Sequence, residues 1–478
     1  MRITSRPGTL LIDMLIGLAV FSLIVMGVVV AMIGSLRGML ASGDRVHAIF
    51  LNQEAVEVAR SIRDTSFAGL TTGKHGYKIG SDGLWQFTGT GVVTTDGFTT
   101  SLTVDSLGAE DNRLTAVTTW KLGQNRSGSS TLLTELTDWR VAHPVGNWAS
   151  VTLQGSYIDG GTPLFNAAAT STDYAFVTSD TSAGGKGLYV FDISNLASPQ
   201  RAASSFDLGD PGYGVLLAGN FLYVVTGDAN AEIKIYDASS PATLSSGNLT
   251  ASINVPGNAK ARAIALTAGT LFVAAQENTD DSEIFAYDTG DLSNITLKDS
   301  LDDPGSSMNG VALRSGYAYL PSSNDVSEIR VADVADPTQL ALAPGEGYNM
   351  ADTPDGTSAA VQGKYLLVGR NAGTVTEELG LFDVGSNPVP TSAPWTDEVG
   401  ANVNAVDADP TATYGFAATD NDTKELIVLN LANFAAGGQP EAASYNTSTG
   451  KGRGVHYSSP HDRVFLLTNK AFLILKPA

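Results

Sequence analysis

The chain has 478 residues, with 49 acidic against 28 basic side chains and a formal net charge of −21. That balance argues against nucleic acid as a partner, because such partners are gripped through clustered Lys and Arg. Without cysteine the chain has no disulfide framework, and its length requires more than one domain.

The N-terminus carries the first strong signal. After Arg2 and Arg6 come Pro7, Gly8, Thr9 and a single acid, Asp13, followed by 23 residues, Met14–Leu36, without a charge. As a helix that run is about 34 Å long, enough to cross a bilayer core. It is too long for the apolar region of a cleaved signal peptide. A plain membrane anchor fits the length, and the two arginines fit cytoplasmic retention of the leader. An isolated carboxylate at the edge of such a helix is costly and asks for a partner.

No proline interrupts residues 9–64, so one helix of about 84 Å is expected. Beyond Arg37, Leu51, Ala55, Val58 and Ile62 recur at steps of four, three and four, an amphipathic stripe. Residues 65–140 then alternate or run apolar in five short segments: Tyr77–Ile79, Leu84–Phe87, Thr100–Val104, Leu114–Trp120 and Leu132–Trp139. A small antiparallel sheet covering one face of the helix is expected from them.

The run from Arg6 to Asp13, with the long helix and small sheet behind it, resembles type IV prepilins and pseudopilins over about residues 1–140. The resemblance implies a leader of residues 1–8, cut by a prepilin peptidase between Gly8 and Thr9, and a helix of residues 9–64 whose apolar part is 9–36. It also implies that Asp13 pairs with the new N-terminal amine at Thr9 of a neighbouring subunit. Inside a packed filament the two charges then neutralise each other away from water. Asp13 is one methylene shorter than the family's usual Glu, and Thr9 stands where the family has Phe or Met. The partners implied are other pilin subunits, the peptidase and, before assembly, the inner membrane.

Residues 141–147 read as a short linker, and the remainder repeats. Leu188–Asp192 recurs as Ile233–Asp237, Ile284–Asp288, Ile329–Asp333 and Leu379–Asp383, then as Leu426–Asn430 and Phe472–Lys476 with the Asp replaced. The spacings are 45, 51, 45, 50, 47 and 46 residues. A second apolar run precedes each, so every repeat offers about four short strands and no helical period. That combination predicts propeller blades, seven of them, over residues 148–478. The last repeat supplies three strands, and Trp148–Tyr157 reads as the outer strand that completes it and removes an exposed edge. The fold class expected is therefore α+β for the N-terminal module, followed by an all-β seven-bladed propeller. The strand ends resemble the LVIVD-repeat family across about residues 150–478, most clearly where Asp237 leads to Pro241 and Asp333 leads to Pro337. The recurring Asp is expected to cap a turn.

One further repeated position suggests a site. Asn166, Tyr213, Arg262, Asn309, Ser358, Asn404 and Arg453 are spaced 46–49 residues apart, each near the start of a blade's first strand. They are expected to ring one mouth of the central channel, where the two arginines would hold a carboxylate, a sulfate or an acidic sugar. The acidic hairpins Asn278–Glu283, Asn324–Glu328 and Asp420–Glu425 lack the full spacing of a calcium loop and read as solvated turns.

For catalysis the sequence offers five scattered histidines and no nucleophile elbow, metalloprotease motif or phosphate loop. No catalytic residue, metal or cofactor is assigned. The expectation is a minor pilin-like subunit that carries a recognition propeller for a surface glycan or protein ligand on a bacterial surface filament. A membrane-anchored propeller scaffold, a secretion pseudopilin and an exported propeller enzyme are the alternatives.

Overall fold

The computed structural model describes residues 7–478, except 66, 81–83, 95, 107–110, 122–126, 138–144, 159–163, 181–185, 258–259, 278–281, 351–352, 374–376, 391–394 and 449. The expected leader residues 1–6, most of the expected linker and the tip Asn278–Asp281 lie outside the described residues. So do the side chains of residues 7–13, and with them those of Thr9 and Asp13. The chain divides into two compact units, Met1–Ala142 and His143–Ala478.

In the first unit helix α1 runs Pro7–Thr65. A proline fits its first turn because the missing N–H is one the helix could not satisfy there. From Met14 to Met32 every side chain is exposed and apolar or small. The second half behaves oppositely. Ala48, Leu51, Ala55, Val58, Ala59 and Ile62, which fall on one helix face, are buried. They pack on Leu102, Val104, Leu114, Ala116 and Leu136 of a sheet and on Phe98 and Trp120 at its end. Each large aliphatic side chain so buried contributes roughly 1.5–3 kcal/mol.

The sheet contains β1 (Gly73–Ile79), β2 (Trp85–Thr88), β3 (Val92–Val93), β4 (Thr99–Ser106), β5 (Asp111–Lys121) and β6 (Ser127–Thr137). Its order is β2-β1-β4-β5-β6, with β3 paired to the start of β4, at Thr99 and Thr100, where β1 does not reach. That is one strand more than expected: β3 is two residues long, too short to show an alternation. A polar peg crosses the helix–sheet interface. Asn52, fully buried, accepts from Thr118 Oγ1 at 2.8 Å and donates to Ser130 Oγ at 3.2 Å.

The second unit is built from four-stranded antiparallel sheets, seven of them among the described residues. Their first strands are Leu164–Thr170, Gly212–Ala218, Ala261–Thr267, Ala312–Arg314, Gly356–Gln362, Val403–Ala408 and Gly452–Ser458, and these define sheets 1 to 7. Each first strand lies beside that of the next sheet, and that of sheet 7 lies beside that of sheet 1. In sheets 1 to 6 the four strands are consecutive in sequence. In sheet 7 the fourth is β7 (Val151–Ile158), from the start of the unit, paired with Ala471–Pro477 in the register Ala471–Ile158 to Pro477–Val151.

Trp148 pins this join. It is fully buried, packs edge-on against Phe416 at 5.1 Å, and donates through Nε1 to Asp462 Oδ1 at 3.0 Å. Tyr457 donates to the same oxygen at 2.9 Å, and the amide of Gly146 donates to Oδ2.

The second and third strands form the core between neighbouring sheets and are almost wholly buried. The recurring Asp ends each third strand as a turn cap. Asp192, Asp237, Asp288, Asp333 and Asp383 each accept the backbone N–H two residues on, at 2.9–3.0 Å. Asn430 does the same for the short helix Leu431–Ala435.

Candidate functional site

A β-bulge creates the polar mouth. In sheets 2, 3, 5, 6 and 7 the register slips by one residue right after the first strand begins, at Gly212/Gly214, Ala261/Ala263, Gly356/Ser358, Val403/Ala405 and Gly452/Gly454. The extra residue of a bulge is freed from the ladder and its side chain re-aimed. Those extra residues are Tyr213, Arg262, Thr357, Asn404 and Arg453. Asn166 sits at the corresponding slip in sheet 1. Asn309 follows the isolated bridge Met308–Ser322 in sheet 4.

Six of the seven expected ring residues therefore line one cavity of about 350 Å³. The expected Ser358 does not. Its hydroxyl accepts from the amide of Val406 at 3.1 Å, between sheets 5 and 6, and its predecessor Thr357 holds the ring position. The one-residue error has a plain cause: two adjacent hydroxyl residues fit the same spacing, and only the bulge selects between them. Asp355 and Asn371, which the repeat pattern did not flag, join the lining from sheet 5.

Much of the ring is already committed to holding sheets together. Asn166, Asn309 and Asn404 each donate through Nδ2, at 2.7 Å, to the carbonyl of the residue at the bulge of the following sheet: Gly212, Gly356 and Gly452. Thr357 makes the equivalent bond to Val403 O. The close approach of sheets 7 and 1 requires glycine at Gly454, where a Cβ would lie 2.2 Å from Asn166 O.

The two arginines differ from these clamps. Arg453 spends Nη2, at 2.8 Å, on Asn166 Oδ1. Arg262 lays its guanidinium over the Tyr213 ring, 5.2 Å from the centroid, and its buried Nε has no hydrogen-bond partner among the described residues. The Asp355 carboxyl is pushed above the usual carboxylate range by burial and then by Asp325.

The acidic hairpins are corrected in part. Their closing glutamates are not solvated. Glu232, Glu283, Glu328, Glu378 and Glu425, one just ahead of each third strand in sheets 2 to 6, are at most 2% exposed. Each accepts a backbone N–H just past the fourth strand of its own sheet, at 2.7–2.9 Å: Val255, Asp303, Met350, Val399 and Thr447. The carboxylate replaces the ladder partner that the chain loses as it leaves the sheet. Burial pushes the Glu328 carboxyl above the usual carboxylate range, against which its backbone bonds and Arg370 act. Arg370 Nη2 stands 3.6 Å from Glu328 Oε1, an electrostatic contact and too long for a hydrogen bond. The sequence carried the signal, a Glu before five of the seven third strands, but its loop context masked it.

Past the polar mouth the first strands enclose a mostly apolar space of about 450 Å³, with Leu216, Ile264, Ala312 and Val361 on its walls. Two histidines are linked through Thr170 and Ser458 where sheet 7 adjoins sheet 1. His456 faces Asp407 at 3.4 Å and bonds Thr170 Oγ1 at 3.1 Å; Thr170 donates to Ser458, and Ser458 meets His461 Nδ1 at 2.8 Å. His461 Nε2 lies 2.8 Å from Thr172 O, which accepts only, so Nε2 carries the proton and Nδ1 accepts from Ser458. Burial holds His461 below the ordinary imidazole range. This chain of bonds ties sheet 7 to sheet 1 and was invisible in the sequence.

Residues 168–205 match the LVIVD repeat family. Among solved structures the chain is similar to the WD40 repeats of RRP9, at 9% identity and a TM-score of 0.50, covering 68% of this chain and 99% of that one. It is also similar to the computationally designed Ika8 protein, at 9% identity and a TM-score of 0.45, covering 68% and 99%. No curated protein matches. The matched repeat and the WD40 likeness define a propeller-type repeat domain, carried behind one N-terminal apolar helix.

Proposed function

We propose that this chain is a minor pilin-like subunit of a type IV filament, displaying a closed seven-bladed propeller whose polar mouth recognises a surface ligand. The single observation that carries the reading is the split character of α1. One half, Met14–Met32, is apolar and exposed, while the other is packed on an antiparallel sheet. Such a helix needs a hydrophobic environment for its first half only, which a membrane supplies before assembly and neighbouring helices supply afterwards. Asp13, just ahead of the exposed segment, is the residue a neighbour's Thr9 amine would neutralise. Ring closure is supported by the exchange of β7 into sheet 7, and recognition, not catalysis, by the two guanidiniums at the mouth, of which Arg262 keeps a buried Nε without a partner among the described residues. The bulk of the second unit favours a sparse or terminal place in the filament.

The test is N-terminal mass spectrometry on sheared cell-surface material. A chain beginning at Thr9 in the sheared filament fraction supports processing and assembly. An intact Met1 found only in membranes refutes the pilin reading and leaves a membrane-anchored propeller scaffold.

A further inference from the structure

The mouth is not evenly polar. Running through sheets 7, 1, 2 and 3, it presents Arg453, Asn166, Tyr213 and Arg262. Running through sheets 4, 5 and 6, it presents Asn309, Asp355 with Asn371, and Asn404. The first arc holds both guanidiniums. Arg453 uses part of its fork on Asn166, and Arg262 Nε is buried without a partner. The second arc is built to accept. The carbonyls of Gly356 and Gly452 fix which end of Asn309 and Asn404 is nitrogen, so their Oδ1 atoms remain for a donor. The Asp355 carboxylate has no hydrogen-bond or ion-pair partner among the described residues.

We infer that this mouth binds a small zwitterion of the amino-acid or short-peptide class, its carboxylate on the Arg262–Arg453 arc and its ammonium on the Asp355 arc. The inference deepens the recognition role proposed above and rests on the mouth as its site. Three features favour a zwitterion over a simple anion. A lone anion would leave the acceptor arc and Asp355 facing a ligand with nothing to donate. An ammonium would relieve the cost that burial and Asp325 impose on the Asp355 charge. An acidic sugar would lack its usual aromatic platform, because the Tyr213 face is covered by Arg262. A space of about 350 Å³ suits a ligand of this size.

The test is calorimetry on the full chain in detergent with four probes: triglycine, N-acetyl-triglycine, triglycine amide and glucuronate. Triglycine should bind saturably. Its two blocked forms should bind roughly tenfold more weakly, the size of one lost charge-assisted contact. In Asp355→Asn triglycine and its acetylated form should become equal; in Arg262→Gln triglycine and its amide should. Thermal melting of both variants checks that they fold. N-acetyl-triglycine or glucuronate binding as tightly as triglycine would overturn the inference in favour of a plain anion site, and no heat from any probe would remove the site altogether. Each outcome is independent of whether the chain is processed at Gly8, so failure here does not bear on the filament.

Discussion

The framework between the sheets and the polar mouth both repeat every 45–51 residues, yet they behave differently. In the framework the same residue type recurs and makes the same backbone bond each time: a buried Glu ahead of the third strand in five sheets, and an Asp at the end of it in five. At the mouth the position recurs but the residue changes, from Asn to Tyr, Arg and Thr, and bonding capacity is left over. Repetition of one residue type with one bond marks the framework. At the mouth Asn166, Asn309, Asn404 and Thr357 share one clamp, and the positions that depart from it, Tyr213, Arg262 and Arg453, are where the proposed ligand would be read.

That contrast can be broken most sharply at the framework. Trp148→Ala should destabilise the second unit by about 3–5 kcal/mol, as for other buried tryptophans, seen as a large fall in its denaturation midpoint. It removes the edge contact with Phe416 and the bond to Asp462 where β7 joins sheet 7. Glu378→Ala should cost about 2 kcal/mol, because the amides of Val399 and Gly400 both lose their acceptor inside the protein; Glu378→Gln should restore part of it.

A smaller effect should follow pH. His461 is held below its ordinary pKa by burial, so the unfolded chain takes up a proton more readily than the folded one. This contribution is fully present above about pH 6.5 and is lost as pH falls through the folded value. The melting temperature of the wild type should drop across that window more than that of His461→Gln. Asp237→Ala, which opens one exposed turn at Ser239, should lower the melting point less than any of these. Smallest of all, Arg262→Gln at the mouth should leave stability within about 0.5 kcal/mol while abolishing discrimination between triglycine and its amide. A large loss of stability in that variant would place Arg262 in the framework and erase the distinction.

Periodicity carried most of the architecture. The four-strand repeat, the Asp caps, the transfer of residues near 148–157 into the last sheet and the amphipathic half of α1 were all legible, because each depends on side chains at fixed sequence steps. The short strand β3 was not, since two residues cannot show a period. The ring was legible at six positions and missed at the seventh, where Ser358 and Thr357 are equivalent in spacing and only the ladder slip distinguishes them.

The sequence by itself determined what is local: an uncharged run long enough for a membrane, strands that alternate, and turns that need Asp at their corners. Tertiary structure alone decided which polar groups are spent. Glu328 and Glu425 belong to loops that look solvated in the chain and are buried in the fold. Asp355 and Asn371 enter the mouth from outside the repeat pattern, and Thr170, Ser458 and His461 meet across some 290 residues of sequence. Burial and hydrogen-bond closure depend on what the neighbouring sheet brings into contact, and no spacing along one strand contains that information.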